Sequence, residues 1–206
     1  FYLGQEGNRD LKPERMVAYE LGYRGRFLNN TLTTNIETFY HNINNIILYS
    51  VKPNDPGIYR FENSRTNHVR GVEASFAWKL ADWWRLTMAY TYQKATDDSL
   101  KGLVIENKYS MGNRFMLPMG FVTNMQLYYV GRTRHEKEAW IPASTVKDYT
   151  RLDVRLSKTF FKEKLEVALI GQNLLDPRHY EYPLTLSAGE AYRAFMLEIS
   201  YSFGGK

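Results

Sequence analysis

Residues 191–203 read A-Y-R-A-F-M-L-E-I-S-Y-S-F, and two ladders run through them. Alternate positions hold Arg193, Phe195, Leu197, Ile199, Tyr201 and Phe203. The positions between hold Tyr192, Ala194, Met196, Glu198, Ser200 and Ser202. A strand sends successive side chains to opposite faces, so one face here is almost wholly apolar and the other carries a carboxylate and two hydroxyls. In a soluble domain the apolar face would meet a core. In a membrane barrel it would meet lipid, with the polar face turned to a lumen.

Composition narrows the choice. The chain has 206 residues, of which 24% are charged, and its mean hydropathy is -0.48. No run approaches the roughly 18 apolar residues of a membrane-spanning helix. A membrane barrel needs only every second residue to be apolar, so a low mean hydropathy leaves that class open. Aromatic residues make up 15% of the chain, with 16 Tyr, 11 Phe and 4 Trp, which suits aromatic girdles at two interfaces. There is no cysteine, which excludes disulfide scaffolds, thiol catalysis and Cys-ligated zinc. The net charge of +5 is dispersed without a basic block, arguing against nucleic-acid binding. The chain begins at Phe1, without an initiator Met or a signal peptide, and is expected to be mature, trimmed or partial.

Period-2 segments recur along the whole sequence, and helical periodicity does not. Strands are expected at about 14–27, 31–50, 58–80 and 84–96. A less regular hairpin follows at 107–117 and 121–134, and further strands at 148–161, 165–174 and 191–203. In the third, Val72, Ala74, Phe76, Trp78 and Leu80 oppose Gly71, Glu73, Ser75, Ala77 and Lys79. Short turns are expected at 28–30, 81–83, 118–120 and 162–164. The intervening loops at 51–57, 97–106, 135–146 and 177–190 are longer and richer in Pro, Gly and polar residues. Short turns at one end and long loops at the other are the habit of bacterial outer-membrane barrels. Several strands also reach the roughly 9–11 residues that a tilted membrane-spanning strand needs.

Ordered along the chain are Gly7-Asn8, Leu11-Lys12-Pro13-Glu14 and Tyr19-Glu20-Leu21-Gly22-Tyr23-Arg24. Then come Asn63 with Arg70-Gly71-Val72-Glu73, and Tyr90-Thr91-Tyr92. Tyr149-Thr150-Arg151-Leu152-Asp153-Val154-Arg155, Gln172-Asn173-Leu174-Leu175-Asp176 and the late aromatic Phe203 complete the series. This series resembles the carboxy-terminal barrel portion of TonB-dependent outer-membrane receptors, of the siderophore or iron-complex type. Gly204-Gly205-Lys206 beyond Phe203 departs slightly from that pattern. The resemblance implies an all-β fold, an antiparallel transmembrane β-barrel, with about nine strands here of a barrel of about 22. It implies a plug domain absent from this chain, and a fragment of a larger receptor, since single-chain bacterial barrels have even strand numbers. It also implies the outer membrane of a Gram-negative bacterium as location, and outer-membrane lipid, TonB and a small metal chelate as partners. The alternatives are a small self-contained outer-membrane barrel (structural protein, adhesin or passive pore) and a soluble β-sandwich binding module.

The residues offer little catalytic chemistry. His41, His68, His135 and His179 show no metal-ligand spacing, and no cofactor is expected. No nucleophile elbow, phosphate-cradling Gly loop or H-E-x-x-H occurs, so no enzyme activity is expected. Arg151, Asp153 and Arg155 read as an inner polar ladder with charges paired across strands. Glu73 and Glu198 read as inner-face carboxylates rather than a catalytic pair. Asn173-Leu174-Leu175-Asp176 reads as strand-end structure. The ligand candidates are the outside-loop cations and aromatics: Arg134, His135, Lys137 and Trp140 in one loop, and Arg178, His179 and Tyr180 in another. Such a mixture suits an anionic, aromatic iron chelate.

Overall fold

In a computed structural model, residues 4–52, 54–96, 104–135, 143–161, 164–182 and 189–203 are described. The fourteen strands are β1 (Gly4–Gln5), β2 (Arg15–Phe27), β3 (Leu32–Lys52), β4 (Asp55–Ala81), β5 (Trp84–Ala95), β6 (Asn107–Met116) and β7 (Phe121–Val130), then β8 (Thr133–His135), β9 (Ser144–Val146), β10 (Tyr149–Phe160), β11 (Leu165–Gln172), β12 (Arg178–Tyr180), β13 (Glu190–Tyr192) and β14 (Ala194–Tyr201). Nine of them, β2, β3, β4, β5, β6, β7, β10, β11 and β14, pair in chain order as one antiparallel meander. The meander is an open wall whose edges are β2 and β14. No helix among the described residues is long and apolar enough to cross a membrane.

The turns follow local chemistry. Leu28, Asn29 and Asn30 all take left-handed φ, at 53°, 54° and 66°, and the Thr31 hydroxyl donates to the Leu28 carbonyl at 2.8 Å. Asn tolerates this region better than most residues, which makes the turn cheap. Between β6 and β7, Pro118 opens a single 3-10 turn and Met119 and Gly120 take φ of 63° and 76°. At the opposite end, the 51–57 segment is not a loop. Strand pairing continues to the tip, with Val51 opposite Tyr59 and Lys52 opposite Asp55. Two other expected loops contain short hairpins, β8 with β9 and β12 with β13. The last strand breaks at Arg193, whose N–H donates to the Pro177 carbonyl at 3.0 Å. Residues 162 and 163 of the expected turn at 162–164, and residues 97–103 of the expected loop at 97–106, lie outside the described residues.

The wall is one layer thick, and this excludes the soluble sandwich. Only Ala95, Val146 and Ala168 are buried apolar residues among those described, while Leu21, Leu197 and Ile199 are 75%, 62% and 65% exposed. Register assigns the faces: Arg155 lies opposite Asn124, Asn124 opposite Arg114, Arg114 opposite Arg85 and Arg85 opposite Lys79. That row is polar. The alternate row, with Trp78, Leu86, Phe115, Leu127, Leu156 and Leu197, is apolar and suits lipid.

β3 and β4 outrun their neighbours. β5 ends opposite Val69, so residues 55–68 of β4 rise beyond the wall with β3 as their antiparallel partner. A bulge between Ile43 and Ile47 marks the departure, and Asn45 there has φ 59°. The segment leading into β2 straps this hairpin. Gly4 and Gln5 pair in parallel with Ile58 and Tyr59. Asn8 Nδ2 donates to the Phe61 carbonyl at 3.0 Å. Asn63 receives the Lys12 N–H at 2.7 Å and donates to the Lys12 and Asn45 carbonyls at 2.8 and 2.7 Å. Glu14 Oε1 accepts the Ile47 N–H at 2.8 Å. Residues that were separate motifs in the sequence thus close one structure at the base of the hairpin.

Candidate functional site

The loop end of the wall carries the candidate site. The corner after β11 is built on Asn173, which is 2% exposed with φ 53°. Its N–H donates to Asp153 Oδ1 at 2.9 Å, its Nδ2 to the Ala191 carbonyl at 3.2 Å, and the next N–H, of Leu174, to the Leu152 carbonyl at 2.9 Å. Asp153 in turn receives Arg151 Nε at 2.9 Å. The corner therefore ties the inner ladder to β13 of the β12–β13 hairpin, and the reading of 173–176 as strand-end structure agrees with it.

The three candidates on β12 part company. His179 points at the wall and is 7% exposed. Its ring stacks on Tyr149 with centroids 4.1 Å apart, between Glu181 Oε1 at 3.4 Å and Asp176 Oδ2 at 3.8 Å. Glu181 is held by Arg151 Nη1 at 3.3 Å. His179 is thus a packing element that seats the hairpin. Arg178 and Tyr180 lie on the other face, as alternation requires, and are exposed. There Glu190 Oε2 accepts the Tyr192 hydroxyl at 2.6 Å and lies 3.5 Å from Arg178 Nη1. In the other loop Arg134 is exposed on β8, opposite Thr145. His135 is placed by its backbone on the same strand. Lys137 and Trp140 lie outside the described residues.

Charge on the exposed hairpin face is ordered. The Tyr192 hydroxyl, and to a lesser degree Tyr180 and Arg178, hold the Glu190 carboxyl below its ordinary range. The same carboxylate pushes the Tyr192 and Tyr180 phenols up. A depressed carboxylate stabilises the fold above its unfolded value, about 4.3 for Glu, and that contribution is lost as pH falls through the folded value. Protection of the amides across 178–180 and 190–192, relative to intrinsic exchange at each pH, is therefore expected to fall as pH drops below the unfolded Glu value, and Glu190→Gln to show weaker protection at neutral pH as well. Unchanged protection in the variant at neutral pH would refute this role.

The inner face below carries charges, some of them paired across strands. Arg155 Nη2 donates to Glu166 on β11 and, at 2.8 Å, to Glu198 on β14. Glu73 is elsewhere, opposite Glu37 and Thr91. On this face a recess of about 330 Å³ is lined by Arg85, Gly112, Arg114, Asn124, Asp153 and Arg155. Among the described residues no group of three His, Asp or Glu could hold a metal ion. Sequence reasoning missed the joint role of Asp153 and Asn173. Alternation put Asp153 on the inner face, but nothing local signals a partner 20 residues away.

Comparison with known proteins agrees with this architecture. Over 99 residues the chain is 32% identical to the ferripyoverdine receptor of Pseudomonas aeruginosa, covering 46% of the chain and 12% of that protein. The pyoverdine outer membrane receptor FpvA from Pseudomonas aeruginosa, bound to pyoverdine, superposes with a TM-score of 0.77 at 18% identity, over 98% of this chain and 32% of that one. The ferric-catecholate import receptor Fiu from E. coli, in its closed form, gives 0.72 at 19% identity, over 95% and 29%. The chain spans less than a third of the length of these proteins. The model of the outer membrane protein beta-barrel family matches residues 2–201, and with a one-layer wall, an apolar outer face and a charged inner ladder, this chain belongs to that family of the outer membrane.

Proposed function

We propose that the chain is wall and outside-loop structure of a receptor that takes up a ferric chelate of siderophore type. The observation that carries this reading is the 32% identity to a ferripyoverdine receptor, on a wall whose loop end exposes Arg178, Tyr180 and Arg134. The intact wall has about 22 strands, and a plug domain and TonB, neither belonging to these 206 residues, supply gating and energy. Arginine offers planar, charge-assisted donors to chelate oxygens, and tyrosine offers a ring face to an aromatic chelator. The ligand is captured and passed inward, with no bond of it made or broken.

The test uses the intact receptor in iron-limited cells that lack other receptors. Uptake of radio-iron as ferripyoverdine, or as a ferric catecholate, is expected, and a protonophore or loss of TonB should stop it. Arg178→Ala with Tyr180→Ala should weaken chelate binding about tenfold while the folded receptor in the membrane stays constant. Absence of uptake for every ferric chelate offered would refute the reading. Uptake that persists without TonB would mark a passive pore instead.

A further inference from the structure

We propose that Arg70 and Lys94, on the lipid-facing side of the wall, bind the phosphate of an anionic lipid headgroup in the outer leaflet. The two residues are direct partners across β4 and β5. Like charges placed opposite one another destabilise a sheet unless a counter-charge meets them. Among the described residues neither forms an ion pair, although Lys79 and Arg155 on the inner face are both met by carboxylates. Both are exposed.

Alternation fixes the face. Arg70 shares its side of β4 with Val72, Phe76 and Trp78, and Lys94 shares its side of β5 with Tyr92, Tyr90, Met88 and Trp84. These are the apolar ladders of the outer surface, exposed at Val72, Phe76, Trp78, Met88, Tyr90 and Tyr92. Height fixes the ligand. From Trp84, at the turn end, to Lys94 is ten residues, about 33 Å of strand at about 3.3 Å per residue. With a strand tilt of about 40° that is a rise of about 25 Å, the height of the apolar band of an outer-membrane barrel. The cations therefore stand where acyl chains give way to headgroups on the loop side.

Their surroundings are those of an interface. Tyr40 lies opposite Arg70 and stacks with His68, centroids 5.8 Å apart. Tyr90 donates its hydroxyl to Asn107 at 2.8 Å. A guanidinium and an ammonium side by side match a phosphate, which accepts from both. Stems of both side chains lie along apolar surface while the charges reach the headgroup plane.

The experiment uses the purified intact receptor in detergent, with bisphosphorylated lipid A as probe and retained lipid read by native mass spectrometry. Arg70→Gln with Lys94→Gln should lower retention about tenfold. Arg70→Lys with Lys94→Arg should keep it, as should Lys158→Gln, which removes an outward cation at the turn end. Lipid A stripped of its phosphates should bind the parent receptor as weakly as the doubly neutral variant binds the phosphorylated form. Equal retention by the neutral variant, or equal binding of the stripped lipid, would overturn the proposal. So would displacement by millimolar inorganic phosphate, which would mark a site for a free anion. Because no chelate enters the assay, its failure is separate from any failure of the uptake reading.

Discussion

Gly71→Val is expected to remove most of the folded, heat-modifiable receptor from outer membranes. A Cβ at this position would collide with the backbone carbonyl oxygen of Tyr92 and lie 2.5 Å from Cζ of Phe39. The carbonyl belongs to the neighbouring strand and cannot swing away as a side chain can. Phe39 lies directly opposite Gly71 and its ring covers the space that the missing side chain leaves, and it also stacks on His41 with centroids 4.8 Å apart. Overpacking of this kind costs about 3 kcal/mol. Gly22→Ala is the control within the same sheet, because its Cβ would meet nothing nearer than 3.8 Å. It should shift the urea midpoint of folding by about 0.5 kcal/mol equivalent or less. Equal behaviour of the two variants would show that the close approach at Gly71 carries no weight.

Arg155→Leu should have the next largest effect. The guanidinium is the shared counter-ion of Glu166 and Glu198, which sit on adjacent strands β11 and β14. Leucine leaves two carboxylates on the inner face with their neutralising charge gone. Complete burial would make this cost several kcal/mol. Here Glu198 is 51% exposed, so water screens the loss and about 1–2 kcal/mol is the expected destabilisation. Adding Glu166→Gln and Glu198→Gln to Arg155→Leu should recover most of it, and a double-mutant cycle should give a coupling well above zero. Additive effects would mean that the three side chains do not act together. The β14 edge should show the loss first, as faster amide exchange over Ala194–Tyr201.

Much of this wall is legible in the sequence because a strand needs only local alternation to declare its two faces. Ile199 and Glu198 announce opposite sides without any knowledge of their neighbours. The turns at 28–30 and 118–120 are legible for the same reason, since Asn, Pro and Gly act on their own φ and ψ. Contacts across strands are different. That Arg155 meets Glu198 depends on registers linking β10 to β11 and β11 to β14, and a shift of one residue would abolish the contact. The candidate site suffered most from this. Arg178, His179 and Tyr180 read as one cluster because they are adjacent, yet adjacency in a strand means opposite faces. The 51–57 segment misled in another way: its Pro, Asp and Gly are turn formers, but pairing with β3 holds most of it extended to the tip. Asn63 looked like a motif letter, and its value lies in three hydrogen bonds made 18 and 51 residues away.

That last arrangement dictates an order of assembly. The seat for residues 4–14 consists of carbonyls of Tyr59 and Phe61, the Ile47 N–H and the Asn63 side chain beside Asn45. The two carbonyls and Asn63 come from β4, and the Ile47 N–H and Asn45 from β3, so the seat is not complete until those strands have met. Residues 4–14 precede both strands in the chain, yet they are fastened only after those strands have paired. A segment can thus stand earlier in the chain than its seat and still find its place later.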